Sequence, residues 1–119
     1  MTRKFLFAFI YLIALTGCET ALEQPVTNKT VQLLAPANNV VSGETNQTFY
    51  WEILGDATQY QLQVVSPGFD SIVKLIVDTT ISNNQFTQTL GQGRFQWRVK
   101  ALNNSSSTSF SEAWNLIIE

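Results

Sequence analysis

The sequence contains no histidine, and Cys18 is its only cysteine in 119 residues. Zinc centres assembled from Cys and His are therefore excluded, as are Ser-His and Cys-His nucleophilic pairs. A single cysteine cannot close an intrachain disulfide, so a domain of this size must hold together by packing alone. Charge is scarce as well, at 13% of residues. Two of the seven bases, Arg3 and Lys4, precede Cys18, which leaves five bases against nine acids from Cys18 onward, a net of −4. An acidic chain without clustered Lys and Arg argues against nucleic acid as a partner. Apolar residues are plentiful: 45% of the chain is hydrophobic, with eight Phe and three Trp, enough for the core of one domain.

The N-terminus has three parts. Arg3 and Lys4 give a positive start, and Phe5 to Leu15 is an apolar run of eleven residues. A membrane-crossing helix needs about 20 residues, so this run has the length of a signal-peptide core. Small residues follow at Thr16 and Gly17, immediately before Cys18. Leu15-Thr16-Gly17-Cys18 resembles the lipobox of bacterial lipoproteins. That resemblance implies a signal peptide over residues 1–17, cleaved before Cys18, and a Gram-negative cell-envelope location. It also implies a diacylglycerol on the Cys18 thiol and an acyl chain, palmitate-like, on its new amino group. No other cofactor is expected. Two or three acyl chains anchor stably, because each buried CH₂ contributes about 0.8 kcal/mol. Cys18 is followed by Glu19-Thr20 and not by the retention aspartate of the inner membrane, which favours the outer membrane. Periplasmic and surface-facing orientations both stay open.

Residues 18–30 read as a lipid-anchored flexible tether, polar, with Pro25 and no sustained period. Residues 31–119 read as one domain with period-two patterning. Expected strands are Val31–Leu34; Gln47–Ile53, with Phe49, Trp51 and Ile53 inward; Thr58–Val65, with Tyr60, Leu62 and Val64 inward; and Ile72–Thr79, with Val73, Leu75 and Val77 on one face. Gln85–Leu90, Arg94–Leu102 and Phe110–Ile118 complete the set. In the sixth strand Phe95, Trp97, Val99 and Ala101 point inward, and in the seventh Trp114, Leu116 and Ile118 do. Residues 37–46 and 103–109 read as loops, and Ser66-Pro67-Gly68 as a turn. Seven strands without a helical stretch define an all-β fold class, a seven-stranded antiparallel β-sandwich.

Several segments resemble a fibronectin type III, immunoglobulin-like domain. They are Leu34-Ala35-Pro36, Phe49-Tyr50-Trp51-Glu52, Gly55 to Leu62 with its spaced Ala57, Tyr60 and Leu62, and Leu90 followed by Gly93 to Ala101. Phe95 stands where that family usually carries a tyrosine, so the hydroxyl that anchors the preceding corner is missing.

Two candidate binding regions follow. The outward face of the third and sixth strands should gather Gln59, Gln61 and Gln63 beside Arg94, Gln96 and Arg98. Amide and guanidinium donors on a flat sheet suit a glycan or a protein partner, against the simpler reading of a solvated sandwich face. The loop containing Asn103 and Asn104 is rich in hydrogen-bonding groups and pairs with Leu54–Ala57 at one end of the domain, with Thr80–Asn84 expected at the other. All three tryptophans take inward parity, so no aromatic cluster is expected outside. The acids Glu52, Asp56, Asp70 and Asp78 lack ligand or catalytic spacing, and neither a metal site nor an enzyme is expected. Function thus narrows to a lipid-anchored binding or adhesion module for an envelope protein or glycan, or to an accessory subunit of a larger envelope complex with no ligand of its own.

Overall fold

Alternation of apolar and polar residues builds eight strands: β1 (Leu33–Ala35), β2 (Val40–Ser42), β3 (Asn46–Trp51), β4 (Gln59–Gly68), β5 (Ser71–Ile81), β6 (Gln85–Thr89), β7 (Gly93–Leu102) and β8 (Trp114–Ile118). The computed structural model describes residues 23–119. The expected signal peptide, Cys18 and the start of the tether lie outside the described residues. Strands β1-β3-β6 form one sheet and β2-β8-β7-β4-β5 the other. Every pairing is antiparallel except β2 with β8, which is parallel. The described residues form an all-β sandwich.

The extra strand corrects the expected loop over 37–46. β1 pairs with β3 only as far as Ala35, because Pro36 has no N–H with which to continue the ladder. The chain turns at Asn39, whose φ of 68° is one that Asn tolerates. It then crosses to the other sheet, where Val40, Val41 and Ser42 pair with Leu116, Ile117 and Ile118. One outer edge is thus divided between both sheets.

The inward parities of the central strands hold. Phe49 and Trp51 of β3, Tyr60, Leu62 and Val64 of β4, and Phe95, Trp97, Val99 and Ala101 of β7 are all buried in one core with Leu116 and Ile118. Burying each large apolar side chain stabilises the sandwich by about 1.5–3 kcal/mol. Trp97 meets Phe49 edge-on at 5.0 Å and Trp114 at 6.0 Å. The indole N–H groups of Trp51 and Trp97 are buried without an acceptor among the described residues, a cost of about 1–3 kcal/mol each that the packing offsets. Ile53 departs from expectation: β3 ends at Trp51, and Ile53 is exposed.

β5 departs further. Val73 and Leu75 do not join Val77 in the core; they are 77% and 59% exposed. Register shifts between Val64/Val65 and Ser66/Pro67 leave Ile76 and Val73 as extra residues on β5. Each bulge breaks the two-residue period and changes the face that follows. The Ser66-Pro67-Gly68 turn is also displaced. β4 runs through Gly68, and the chain reverses at Phe69-Asp70. Proline is accommodated because β4 pairs with β7 only as far as Val65, so no β7 carbonyl requires its missing N–H.

Phe95 is buried, and other bonds hold its neighbourhood. Leu90 N–H donates to the Thr45 carbonyl at 2.7 Å, and the Ser66 hydroxyl to the Arg94 carbonyl at 2.7 Å.

Candidate functional site

Cross-strand register determines which outward side chains meet. Asp78, Gln63 and Arg98 form one row across β5, β4 and β7, and Thr80, Gln61 and Lys100 form the next. A third row runs Leu75, Val65, Gln96 and Asn115, ending on β8. Side chains in such rows share a face and touch their neighbours.

Gln61, Gln63, Gln96 and Arg98 do come together, as expected. Arg98 Nε donates to Gln63 Oε1 at 2.9 Å. Gln63 Nε2 donates onward to Asp78 Oδ2 at 3.3 Å, and Gln61 Nε2 donates to Asp78 Oδ1 at 2.7 Å. Gln96 Nε2 donates to Asn115 Oδ1 at 2.8 Å, while its Oε1 accepts the Phe69 backbone N–H at 2.8 Å. Gly68 makes this possible, because a Cβ there would stand 2.8 Å from Gln96 Oε1. Two expected members are elsewhere: Gln59 lies opposite Leu102 at the strand end, and Arg94 lies opposite Ile117.

The residues that sequence reasoning missed are Phe69 and Phe110. Arg98 Cζ lies over both rings, 4.0 Å from the Phe69 centroid and 4.3 Å from that of Phe110. Lys100 Nζ lies 5.0 Å from the Phe110 centroid. The outer face therefore does hold aromatic side chains, contrary to expectation. Phe69 sits at the hairpin tip that follows the β4 bulges. Phe110 belongs to no strand, since β8 begins only at Trp114. The available signal was Phe69, a phenylalanine beside a turn and outside every expected strand; Phe110 offered none, because the expected strand Phe110–Ile118 gave it the inward parity of Trp114.

The second expected region is bonded within the chain at Asn103. Asn103 is buried, and its amide group bonds within the chain. Its Nδ2 donates to the carbonyls of Gln24 (2.8 Å) and Asp56 (3.0 Å). Its Oδ1 accepts the backbone N–H groups of Ser105 (3.1 Å) and Ser106 (2.9 Å). Val26, fully buried, donates its N–H to Ser106 Oγ at 3.0 Å, and Glu23 bonds Asn104 N–H and the Ser105 hydroxyl. Lys29 Nζ reaches Asp56 Oδ2 at 3.1 Å. Residues 23–30, expected as free tether, are thus clasped onto the loop expected to bind a partner. Thr80–Asn84 lies at this same end and not the opposite one: Ile81 pairs with Tyr60, whose hydroxyl accepts the Leu54 N–H, and Asn84 bonds the Trp51 backbone.

Among the described residues, no three His, Cys, Asp or Glu side chains are grouped to hold a metal. Grooves on the surface of the described residues include one of about 270 Å³ and one of about 300 Å³, the latter lined by Arg94 and Asn115 among others.

With strand order and register in hand, the architecture can be compared with known proteins. Fibronectin(III)-like modules of Clostridium thermocellum CbhA match with a TM-score of 0.55 at 13% identity, over 76% of this chain and 96% of that one. A fibronectin type III domain from the human KIAA0970 protein matches with a TM-score of 0.52 at 14% identity, over 75% of this chain and 74% of the other. The fold is fibronectin type III-like. No protein-family model and no curated protein matches the chain.

Proposed function

We propose that this protein is a lipid-anchored binding module of a bacterial cell envelope, attached through Cys18 and holding an envelope partner on the outer face of the five-stranded sheet. It acts by binding and not by catalysis. The observation that carries this reading is the ordered face around Arg98. A merely solvated face would leave long polar side chains independent, whereas here Gln61, Gln63, Gln96 and Arg98 are fixed by bonds between strands and to the hairpin tip. Fixing them beforehand lowers the side-chain entropy lost on binding, about 0.5–1.5 kcal/mol for each immobilised side chain. The anchor reading rests on the Leu15–Cys18 lipobox resemblance, and the clasp at Asn103 gives it a geometric consequence. Only four residues lie between Cys18 and Glu23, so the clasped end of the domain faces the bilayer, within about 20 Å of it.

Exposed Ile72, Val73 and Leu75 on edge strand β5 favour the second reading, an accessory subunit docked in a larger complex. Photo-crosslinking in the native cells separates the two. With the probe at Gln61, the binding module captures one discrete envelope partner. Capture from Val73 alone transfers the function to the subunit reading. Cys18→Ser should abolish fatty-acid labelling and release the protein from membranes; unchanged labelling and fractionation would overturn the anchor.

A further inference from the structure

Among the described residues, Arg98 is the one cation on this face whose side chain is held by a hydrogen bond, and its environment is unusual for an arginine. Asp78 lies in the same cross-strand row, two strands away, and a direct ion pair would be the simplest use of both charges. Gln63 is interposed instead: it accepts from Arg98 Nε at 2.9 Å and donates to Asp78 at 3.3 Å. Asp78 is further occupied by Gln61 at 2.7 Å. The only ion pair among the described residues is Lys29–Asp56, far from this face. Both terminal nitrogens of Arg98 therefore keep their N–H groups without an acceptor among the described residues. Arg98 Cζ lies over the Phe69 and Phe110 rings, 4.0 and 4.3 Å from their centroids, so both rings contact the guanidinium and restrict its orientation.

We propose that Arg98, flanked by Phe69 and Phe110 and turned by Gln63, is a receptor for the side-chain carboxylate of an acidic segment on a protein partner. The proposal rests on the binding-module reading above and gives the partner's chemistry. A guanidinium edge matches a carboxylate with two parallel N–H···O bonds, and lateral aromatic contacts restrict the plane to that geometry. Lys100, whose Nζ lies 5.0 Å from the Phe110 centroid, adds positive charge beside the fork and favours an acidic segment. A protein is favoured over a glycan for two reasons. Phe69 and Phe110 turn the ring faces nearest the site towards Arg98, so those planes are not free to stack on a sugar. Leu75 and Ile72, paired with Val65 and Pro67, add exposed apolar surface beside the polar rows, which suits a mixed acidic and aliphatic segment. The overall acidity of the chain makes this local attraction selective and salt-sensitive.

The test follows the Arg98 Nε–H resonance of the full domain by NMR while hexaglutamate, hexaglutamine or trigalacturonate is added. Hexaglutamate should shift that resonance saturably, hexaglutamine should not, and the affinity should fall as salt is raised. Arg98→Lys keeps the charge but loses the fork, and should weaken hexaglutamate about tenfold or more, whereas Lys74→Gln should leave it unchanged. Backbone amide spectra of each variant establish that it is folded. No saturable shift, or affinity unchanged in Arg98→Lys, overturns the proposal. Tighter binding of trigalacturonate than of hexaglutamate overturns the assignment to a protein partner. A partner crosslinked from Gln61 together with silence towards hexaglutamate would sink the carboxylate chemistry alone and leave the binding module standing.

Discussion

The Asn103 loop and the Arg98 face have similar composition, both rich in amides and hydroxyls on a polar surface, yet they end in opposite states. At the loop, the amide of Asn103 is buried and bonded to Gln24, Asp56, Ser105 and Ser106. On the face, Arg98 donates one N–H to Gln63, and its terminal nitrogens have no acceptor among the described residues. A polar side chain is available to a partner only if the chain itself has not already satisfied it. Burial sets the direction: an unsatisfied buried amide costs about 1–3 kcal/mol, so the fold must pair it, whereas an exposed guanidinium edge can remain solvated at little cost.

Breaking the clasp should give the largest effect. Asn103→Leu removes both carbonyl contacts to residues 24 and 56 and should destabilise the domain by about 2–4 kcal/mol, read by urea unfolding. Its hexaglutamate affinity should not change; a loss there would mean that the two regions are coupled. Gly68→Ala should cost about 1–2 kcal/mol, because the new methyl displaces the Gln96 side chain that holds Phe69. This variant sharpens the comparison, since it should weaken hexaglutamate while leaving the clasp intact. Smallest is Lys29→Gln. Its ion pair with Asp56 is about 40% exposed on both sides, 39% and 43%, and such pairs contribute about 0.2–1 kcal/mol, diminishing with salt. A larger loss would make the ion pair, and not Asn103, the main element of the clasp.

Legibility followed the range of the interactions. The parity of β7 was readable from Phe95, Trp97, Val99 and Ala101 alone, because strand alternation is a local property. Gln63 beside Arg98 was readable once β4 and β7 were placed together. Phe69 was not, because its position depends on two register shifts in β4–β5, and the apolar alternation of Val73, Leu75 and Val77 pointed the wrong way. Asn103 was misassigned for a related reason. A run of Asn and Ser reads as a solvated loop, and nothing local marks one of them as buried.

The sequence by itself determined the all-β class, the identity of the core residues in the central strands, and the exclusion of disulfide and Cys-His chemistry, since each depends on residue type and local period. Only the tertiary structure decided which polar groups are free. Asn103 is answered by Gln24, 79 residues away, and Arg98 by Gln63, 35 residues away. Hydrogen bonds of that range are set by how sheets, hairpin tip and N-terminal segment come together, and by the bulges that moved β5 off its expected face.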